Sequence, residues 1–496
     1  MTNEFLVVLP ILVPLTAAVI AIALRRRHEV QAAWSFGSML TSLVFAVLLL
    51  ADVWGQGRPL VFQLGGWPAP FGISLVADVL SALMAVMCQL VLAGGFLYAL
   101  GCRDQCAQYP MFYPLFLLLA TGLTGAMLTG DLFNLFVFAE LLVFAGAALT
   151  AMSDDRFGAE AAYKYFYISL VASIALLLAC GSLYVSYGTL NMADLARRIA
   201  ADPSPPLVLP AMAFLMVFFM VKGAVMPFHF WQPDFHTAAP TPVHAVLSSV
   251  VVKLGIYGFF RMTTLLFPGQ AELIRPVLVV AGAVGVWFGG LGAVGTYDAK
   301  RMLAYSTLGQ LGFILVAIGW GTPLALAAAI VYAFNHSLLK AAMLMLAGSV
   351  ASRAPVKTAA FDVITGVGKK MPLAGVLFLL GGMGLAGIPP LNGFIGKLML
   401  FQSGVESQAY LPLAVIGLAG IVTLVYVMRA FQRIWWVPMP AGAKTKPYGD
   451  RLIAPAILIA LSLALGLWAE PLLRLAYDTV AWLSVPEQYV RVVLGG

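Results

Sequence analysis

The chain has 496 residues, of which 62% are hydrophobic and 10% are charged. Soluble domains carry about 25% charged residues, so the composition excludes a globular protein and indicates a polytopic membrane protein. The formal net charge of +7 does not indicate a nucleic acid partner, because no basic run lies in a soluble module. Neither a structural disulfide nor a zinc site is expected, because no metal-ligand spacing connects Cys88, Cys102, Cys106 and Cys180.

Fourteen apolar runs have the length of about 20 residues with which a helix crosses a bilayer. The predicted spans are 5–24, 31–51, 74–100, 110–128, 131–151, 160–187, 207–227, 241–264, 273–296, 301–319, 322–348, 372–402, 409–432 and 452–473. The first run precedes Arg25, Arg26 and Arg27, the reverse of the charge order in a cleaved signal peptide, so we expect a retained helix. No connecting segment is large enough for a redox or nucleotide-binding module, so we expect no cofactor and no redox site.

The distribution of lysine and arginine predicts which loops face the cytoplasm, because cytoplasmic loops are enriched in these residues. If the N-terminus is outside, the inner loops hold sixteen of the 28 lysines and arginines. The outer loops hold five, namely Arg58, Arg197, Arg198, Arg261 and Arg275. This asymmetry predicts that both termini lie on the outer side of a bacterial or archaeal cell membrane.

Several ionisable side chains lie inside predicted spans, where a charge costs about 2.5 to 3.5 kcal/mol, so they are candidates for function. Glu140 lies nine residues beyond Asp131, about 13 Å into its span. It is either a neutral acid hydrogen-bonded to a neighbour or a proton carrier whose partners are the buried Lys222 and Lys253. A buried lysine can release its proton whereas arginine stays protonated, so we favour the proton carrier.

Two predicted spans are interrupted. Gly223 and Pro227 follow Lys222 in the seventh span, and the segment 388–390 (Ile-Pro-Pro) precedes Lys397 in the twelfth. Proline lacks a backbone donor and breaks a helix, and broken helices expose backbone groups to ions in transporters. Because five spans separate the breaks, spans 4–8 and 9–13 are predicted to be two repeats that are inverted in the membrane.

The predicted fold is therefore all-α, with about fourteen transmembrane helices and two inverted five-helix repeats with broken helices 7 and 12. The first three helices occupy residues 1–109. The repeats occupy 110–264 and 265–436, and the last helix with the C-terminal tail occupies 437–496.

Histidines add to the candidate groups. His336 and Lys340 are four residues apart and share one helix face, which favours a proton relay over a simple helix tie. His229, His236 and His244 surround the seventh break. Their spacing matches no metal-binding motif, so we expect them to line an aqueous half-channel and expect no metal.

Two positions leave alternatives open. Lys164, near the start of the sixth span, points either toward Glu140 or out to the membrane surface. Asp78, near the start of the third span, is either functional or interfacial.

Four segments carry a resemblance to a known family. They are TGDLFNLFVFAE (129–140), VKGAVMPFHFWQPDFHTAAPTPVHAVLSSVVVKLGIYG (221–258), AFNHSLLKAAMLMLAG (333–348) and GIPPLNGFIGK (387–397). They resemble the antiporter-like subunits of respiratory complex I, membrane-bound hydrogenases and Mrp-type multisubunit cation/proton antiporters. Within that superfamily the chain looks most like the D subunits of Mrp antiporters.

The resemblance implies a subunit that moves protons beside other membrane subunits, in contact with lipid and with sodium as the expected counter-ion. It assigns the proton path to a mid-membrane row of Glu140, Lys222, Lys253, His336, Lys340 and Lys397. The alternative is a proton-pumping subunit of a complex I-type or hydrogenase complex whose redox centres lie on other chains. A stand-alone solute transporter is disfavoured, because the chain has no substrate-sized polar constellation.

Overall fold

The structure, a computed structural model, describes residues 4–153, 155–356, 358–442 and 444–495. Its α-helices are α1 (Phe5–Ala23), α2 (His28–Gln56), α3 (Val79–Leu100), α4 (Phe112–Leu128), α5 (Leu132–Ala151), α6 (Arg156–Tyr187), α7 (Met192–Ala201), α8 (Val208–Lys222), α9 (Trp231–Ala238), α10 (Thr241–Val246), α11 (Lys253–Arg261), α12 (Ala271–Gly295), α13 (Ala299–Trp320), α14 (Pro323–Arg353), α15 (Phe361–Ile364), α16 (Pro372–Ala386), α17 (Asn392–Glu406), α18 (Tyr410–Phe431), α19 (Ile453–Leu467), α20 (Glu470–Leu483) and α21 (Pro486–Leu494). Two short strands, β1 (Leu60–Gln63) and β2 (Ser74–Ala77), pair antiparallel. The all-α prediction is confirmed, with this hairpin as a small addition.

The helices agree with the predicted spans. Within the described residues, ten helical segments are long and apolar enough to cross a membrane, or eleven if α19 and α20, bent by 78°, form one span. The remaining predicted spans coincide with the shorter apolar helices α4, α8 and α16. Helices α8 and α16 are short because each ends at a predicted break. The C-terminal tail, for which we predicted no further element, forms α21.

Both breaks lie where the prolines predict them. Helix α8 ends at Lys222, and the chain becomes helical again only at Trp231. Helix α16 ends at Ala386, and Gly387 takes a left-handed conformation with φ of 84°, which ends the helix. The eighth span differs from the single regular helix that we predicted. It contains π-helical turns at Leu247–Val251 and Met262–Leu266, which carry an extra residue and rotate the following side chains.

The two repeats share a local feature at the start of their second helix. Asp131 caps α5 and Asp298 caps α13, each accepting a backbone hydrogen bond from three residues further on, at 2.8 and 2.9 Å. Each aspartate also forms an antiparallel bridge with the segment that follows the third helix of its repeat, Asp131 with Asn191 and Asp298 with Ala360. This correspondence supports the predicted repeats. The boundaries at residues 109, 264 and 436 stay a prediction.

The first half of the broken seventh span packs tightly on the eighth span. Gly255 of α11 faces Gly223 at the end of α8 so closely that a β-carbon at position 255 would overlap the Gly223 backbone. This contact joins the helix end that carries Lys222 to the helix that begins with Lys253.

A buried ion pair joins α3 to α11. Asp78 caps α3, and its carboxylate accepts two hydrogen bonds from the guanidinium of Arg261, at 2.6 and 2.7 Å. Tyr257 accepts a further bond from Arg261 Nε at 2.9 Å. Counting Arg261 among outer-loop residues was therefore wrong, because it is the last residue of α11 within the eighth span and its side chain is 4% exposed. Asp78 is a structural partner of that arginine.

We predict that Asp78→Asn lowers the free energy of unfolding by about 3 to 5 kcal/mol, because it leaves a buried guanidinium without its counter-charge. Thermal or detergent denaturation, followed by tryptophan fluorescence, measures the change. The control is Glu160→Gln, because Glu160 pairs with Lys164 on an exposed surface and should change little. Equal effects of both variants would contradict the structural role of the buried pair.

We also predict that Gly255→Ala destabilises the fold by about 1 to 3 kcal/mol, because the added methyl group forces α8 away from α11. The same denaturation assay tests this expectation. Gly181→Ala in α6 is the matched control, since a β-carbon there meets no atom within 4 Å among the described residues. Wild-type stability of Gly255→Ala would show that the helices are not in this close contact.

Candidate functional site

Glu140 and Lys222 form the first part of the predicted row. Glu140 accepts a hydrogen bond from Ser173 of α6. Lys222, the last residue of α8, is buried, and its Nζ lies 5.5 Å from the ring centre of Phe218. That Nζ has no hydrogen-bond partner among the described residues, and Glu140 acts on it electrostatically without a direct ion pair. No ion pair among the described residues therefore fixes the Lys222 ammonium group.

Lys253 and His336 form the central part of the row. Lys253 is the first residue of α11 after a π-helical turn, and its Nζ is hydrogen-bonded to Nδ1 of His336 in α14. Both side chains are buried. The ammonium group donates to a neutral imidazole, or a protonated imidazole donates to a neutral amine. These two arrangements differ by one proton transferred along the bond, which is the chemistry that a relay requires.

Lys340 continues the row one helical turn beyond His336. Its Nζ donates to the hydroxyl of Ser306 at 2.7 Å and to the carbonyl of Leu303 at 3.3 Å. Both partners belong to α13, and Lys340 is fully buried. The ammonium group is therefore held by neutral oxygens, with no carboxylate in contact among the described residues.

Lys397 of α17 lies at the other break. Its Nζ donates to the carbonyl oxygen of Ala386, the last residue of α16, at 2.9 Å. The same nitrogen lies 5.0 Å from the ring centre of Phe313. The carbonyl end of a helix carries a partial negative charge, so the broken helix supplies a site for a cation without using an acidic residue.

The histidines near the seventh break belong to no cluster of three or more His, Cys, Asp or Glu side chains that could hold a metal ion, within the described residues. His236 and His244 are buried with ring centres 5.7 Å apart, and their ring nitrogens have no partner among the described groups. His229 instead packs edge-on against Phe288 at 4.3 Å.

The side chain of Lys164 points out to the surface and not toward Glu140, which is the second of the two predicted alternatives. Its ammonium group pairs with Glu160 at 2.7 Å and with Asp234 at 3.5 Å, and its side chain is 46% exposed. Asp234 also pairs with Arg301 at 2.9 Å. Lys164 is therefore part of a surface ion-pair network and does not contact Glu140.

An open cavity of about 790 Å³ lies at one end of the helices. Residues from the connections between spans 3–4, 5–6, 7–8, 9–10, 11–12 and 13–14 line it. In that order, each connection contributes Arg103, Asp155, Pro240, Asp298, Thr358 and Lys446. These connections must share one side of the membrane if the helices alternate in direction. Thr241 also lines the cavity and lies three residues before His244, so water in the cavity comes within one helical turn of the buried histidines.

Uncharged polar residues around Lys340 were missed from the sequence. Ser306 is hydrogen-bonded to the hydroxyl of Tyr426 at 2.6 Å, and Tyr332 donates to the amide oxygen of Gln310 at 2.5 Å. Ser306 and Gln310 are four residues apart within an apolar span, which puts them on one helix face. This four-residue spacing is the sequence signal that could have identified Ser306 and Gln310.

Comparisons with known proteins show the family to which the chain belongs. The family described as "NADH:quinone oxidoreductase/Mrp antiporter, TM" matches residues 129–423. The chain is 32% identical to the D subunit of the Na(+)/H(+) antiporter of Alkalihalophilus pseudofirmus, over 99% of both proteins. It is 33% identical to the N subunit of the NADH-quinone oxidoreductase of Desulforudis audaxviator, over 92% of this chain and 94% of that protein.

A solved structure extends the likeness to the whole fold. A chain in the structure of the Mrp complex from Dietzia sp. DQ12-45-1b superposes with a TM-score of 0.92 at 29% identity, covering 100% of both chains. The family match covers more than half of the sequence, and the similarity to the relatives extends over nearly all of it. The chain therefore belongs to the family of transmembrane subunits that NADH:quinone oxidoreductases and Mrp antiporters share.

Proposed function

We propose that the chain is the proton-translocating subunit of a multisubunit sodium/proton antiporter. The observation that carries the proposal is the set of four buried lysines on membrane-crossing helices, none of which has a carboxylate in direct contact among the described residues. The proposed path consists of Glu140, Lys222, Lys253, His336, Lys340 and Lys397. Such residues are expensive inside a bilayer and are retained where they serve transport.

Protons step along the row because neighbouring charges alternately stabilise and expel one another. Glu140 in its ionised form stabilises the Lys222 ammonium group, and protonation of Glu140 removes that stabilisation. A proton that reaches Lys253 passes to His336 along their hydrogen bond, and Lys340 stands one turn further on. Lysine suits each position because it gives up its proton when its surroundings change, whereas arginine does not.

The assignment of sodium as the counter-ion rests on the relatives, one of which is named as a subunit of an Na(+)/H(+) antiporter. A cation-binding site is not assigned to the row, because its four buried lysines repel a cation. We infer that the chain works beside other membrane subunits, in a cell membrane with both termini outside. The excess of lysine and arginine in the inner loops supports that orientation.

The exposure of Glu140 supports the presence of a neighbouring subunit. It is half-buried and shares one face of α5 with Phe133, Val137 and Phe144, which are 47%, 48% and 56% exposed. A carboxylate beside a lipid-facing stripe carries a penalty for a charge near hydrocarbon. A partner subunit that covers this stripe removes the penalty and brings Glu140 into the interior of the complex.

The second candidate function is proton pumping within a redox enzyme. The observation that favours it is the similarity to a relative named as the N subunit of an NADH-quinone oxidoreductase, at 33% identity. In such an enzyme the same row moves protons, and electron transfer on other subunits drives the movement. The two candidates differ in the source of energy.

We predict that Lys222→Ala and Glu140→Ala each lower transport at least about 100-fold, because each removes a positioned proton-transfer group. The measurement uses inverted vesicles from cells that express the whole operon. A pH-sensitive dye follows proton movement when sodium is added without an electron donor. Glu160→Gln is the control, because that carboxylate lies on an exposed surface.

Full activity of the assembled Lys222→Ala complex would refute the proposed row. Proton movement that requires NADH, formate or hydrogen would instead assign the chain to a redox-driven pump. The amount of assembled complex in the membrane separates a loss of transport from a loss of folding.

We further predict that Val137→Cys is protected from a lipid-soluble maleimide in the complete complex and reacts when the chain is expressed alone. The four native cysteines are buried and contribute little background. The control is Val280→Cys in α12, which is 63% exposed, lies away from Glu140 and shows that the reagent reaches apolar helix faces. Equal labelling of Val137→Cys in both preparations would contradict a subunit contact at this stripe.

A further inference from the structure

The described charged groups leave a gap in the row between Lys340 and Lys397. We propose that the hydroxyl groups of Ser306, Tyr426 and Tyr332 carry protons across this gap, with Gln310 and Thr423 holding them in position. All five side chains are buried in spans 10, 11 and 13. The inference rests on the proposed function and adds neutral residues to its path.

The first part of this hydrogen-bonded path, from Lys340 to Tyr426, is continuous. The Lys340 ammonium group donates to Ser306 Oγ at 2.7 Å, and Ser306 Oγ lies 2.6 Å from the Tyr426 hydroxyl. When Lys340 releases a proton to Ser306, the serine hydroxyl passes its own proton to the Tyr426 oxygen. Tyr426 then releases its original phenolic proton onward, so one proton leaves for each that arrives. A hydroxyl group both donates and accepts, which this exchange requires.

In the middle of the path, the amide group of Gln310 positions the hydroxyl groups. Gln310 donates to the hydroxyl of Thr423 at 3.4 Å and accepts from the hydroxyl of Tyr332 at 2.5 Å. The hydroxyl of Tyr426 lies beside both Gln310 and Thr423. An amide group does not itself exchange protons readily, so Gln310 is a positioning residue that holds the two phenol groups close together. The proposal requires a water molecule to pass the proton between the two phenol groups.

In the last part of the path, the ring of Phe313 lies between Tyr332 and Lys397. The ring of Phe313 stacks on that of Tyr332 with centres 5.8 Å apart and also lies 5.0 Å from Lys397 Nζ. Lys397 is meanwhile hydrogen-bonded to the carbonyl of Ala386. A proton therefore reaches Lys397 only when its flexible side chain leaves that carbonyl and passes the ring. This requirement makes the junction a place where transfer can be gated.

A purely structural role for these bonds makes a different prediction. Hydrogen bonds between membrane helices also stabilise packing. Removal of one hydroxyl would then lower stability slightly and leave the transport rate of the assembled complex unchanged. The rate is therefore the quantity that separates a relay from a tie between helices.

The test compares Tyr426→Phe, Tyr332→Phe and the double variant in the complete complex, with sodium-driven proton movement as the readout. Each single variant is expected to slow transport on the order of 100-fold, because a positioned proton-transfer group is lost. The double variant is expected to be no slower than the slower single variant, since both residues serve one path. Unchanged rates for the assembled single variants, or losses that multiply in the double variant, would overturn the proposal.

Two controls complete the test. Tyr113→Phe removes the hydroxyl of a buried tyrosine that packs on Phe96 and Phe112 of the first half of the chain, and it should transport normally. If Tyr426→Phe fails to assemble, Ser306→Ala decides the question in the same assay, because it breaks the Ser306–Tyr426 contact from the other side. Lys340→Ala distinguishes the two levels of inference. Full transport activity of Lys340→Ala would refute the proposed function itself. Loss of transport in Lys340→Ala together with a normal transport rate in Tyr426→Phe would refute only the hydroxyl path.

Discussion

The need to keep ammonium groups inside the bilayer is the constraint on which the rest of this structure depends. Four lysines are buried, and each is stabilised differently. Lys222 has an aromatic ring and the field of Glu140, Lys253 has a histidine, and Lys340 has a hydroxyl and a carbonyl group. Lys397 has the carbonyl end of a broken helix. None of the four has a carboxylate in direct contact among the described residues, so none is fixed as a permanent ion pair.

The two broken helices place a lysine at a comparable point despite their different sequences. Lys222 precedes its break and Lys397 follows its own, yet both lysines contribute to the carbonyl end of the first half-helix. Lys222 is the last residue of that half-helix, and Lys397 reaches back to its last carbonyl. The partial negative charge of a helix C-terminus favours cations at both places. An internal repeat thus preserves the electrostatics of the break without preserving the position of the lysine.

The buried Asp78–Arg261 pair differs from the buried lysines. It is bidentate and flanked by Tyr257, so it holds two helices together. Arginine does not release its proton, which suits a fixed tie. The buried lysines instead have no carboxylate in direct contact among the described residues. At Lys340 the neighbouring groups are hydroxyls, Ser306 and through it Tyr426, which add no further charge to the interior.

The sequence by itself determined the membrane-crossing class, the spans, both breaks and the residues proposed for the row. It did so because a charge or a proline inside an apolar run of about 20 residues stands out against its surroundings. Only the tertiary structure decided that Arg261 is buried against Asp78, that Lys164 pairs with Glu160, and that Ser306 meets Tyr426. The physical reason is that buried and lipid-facing sides of such helices are both apolar, so the pattern of residues does not reveal how a helix is rotated or which helix it faces.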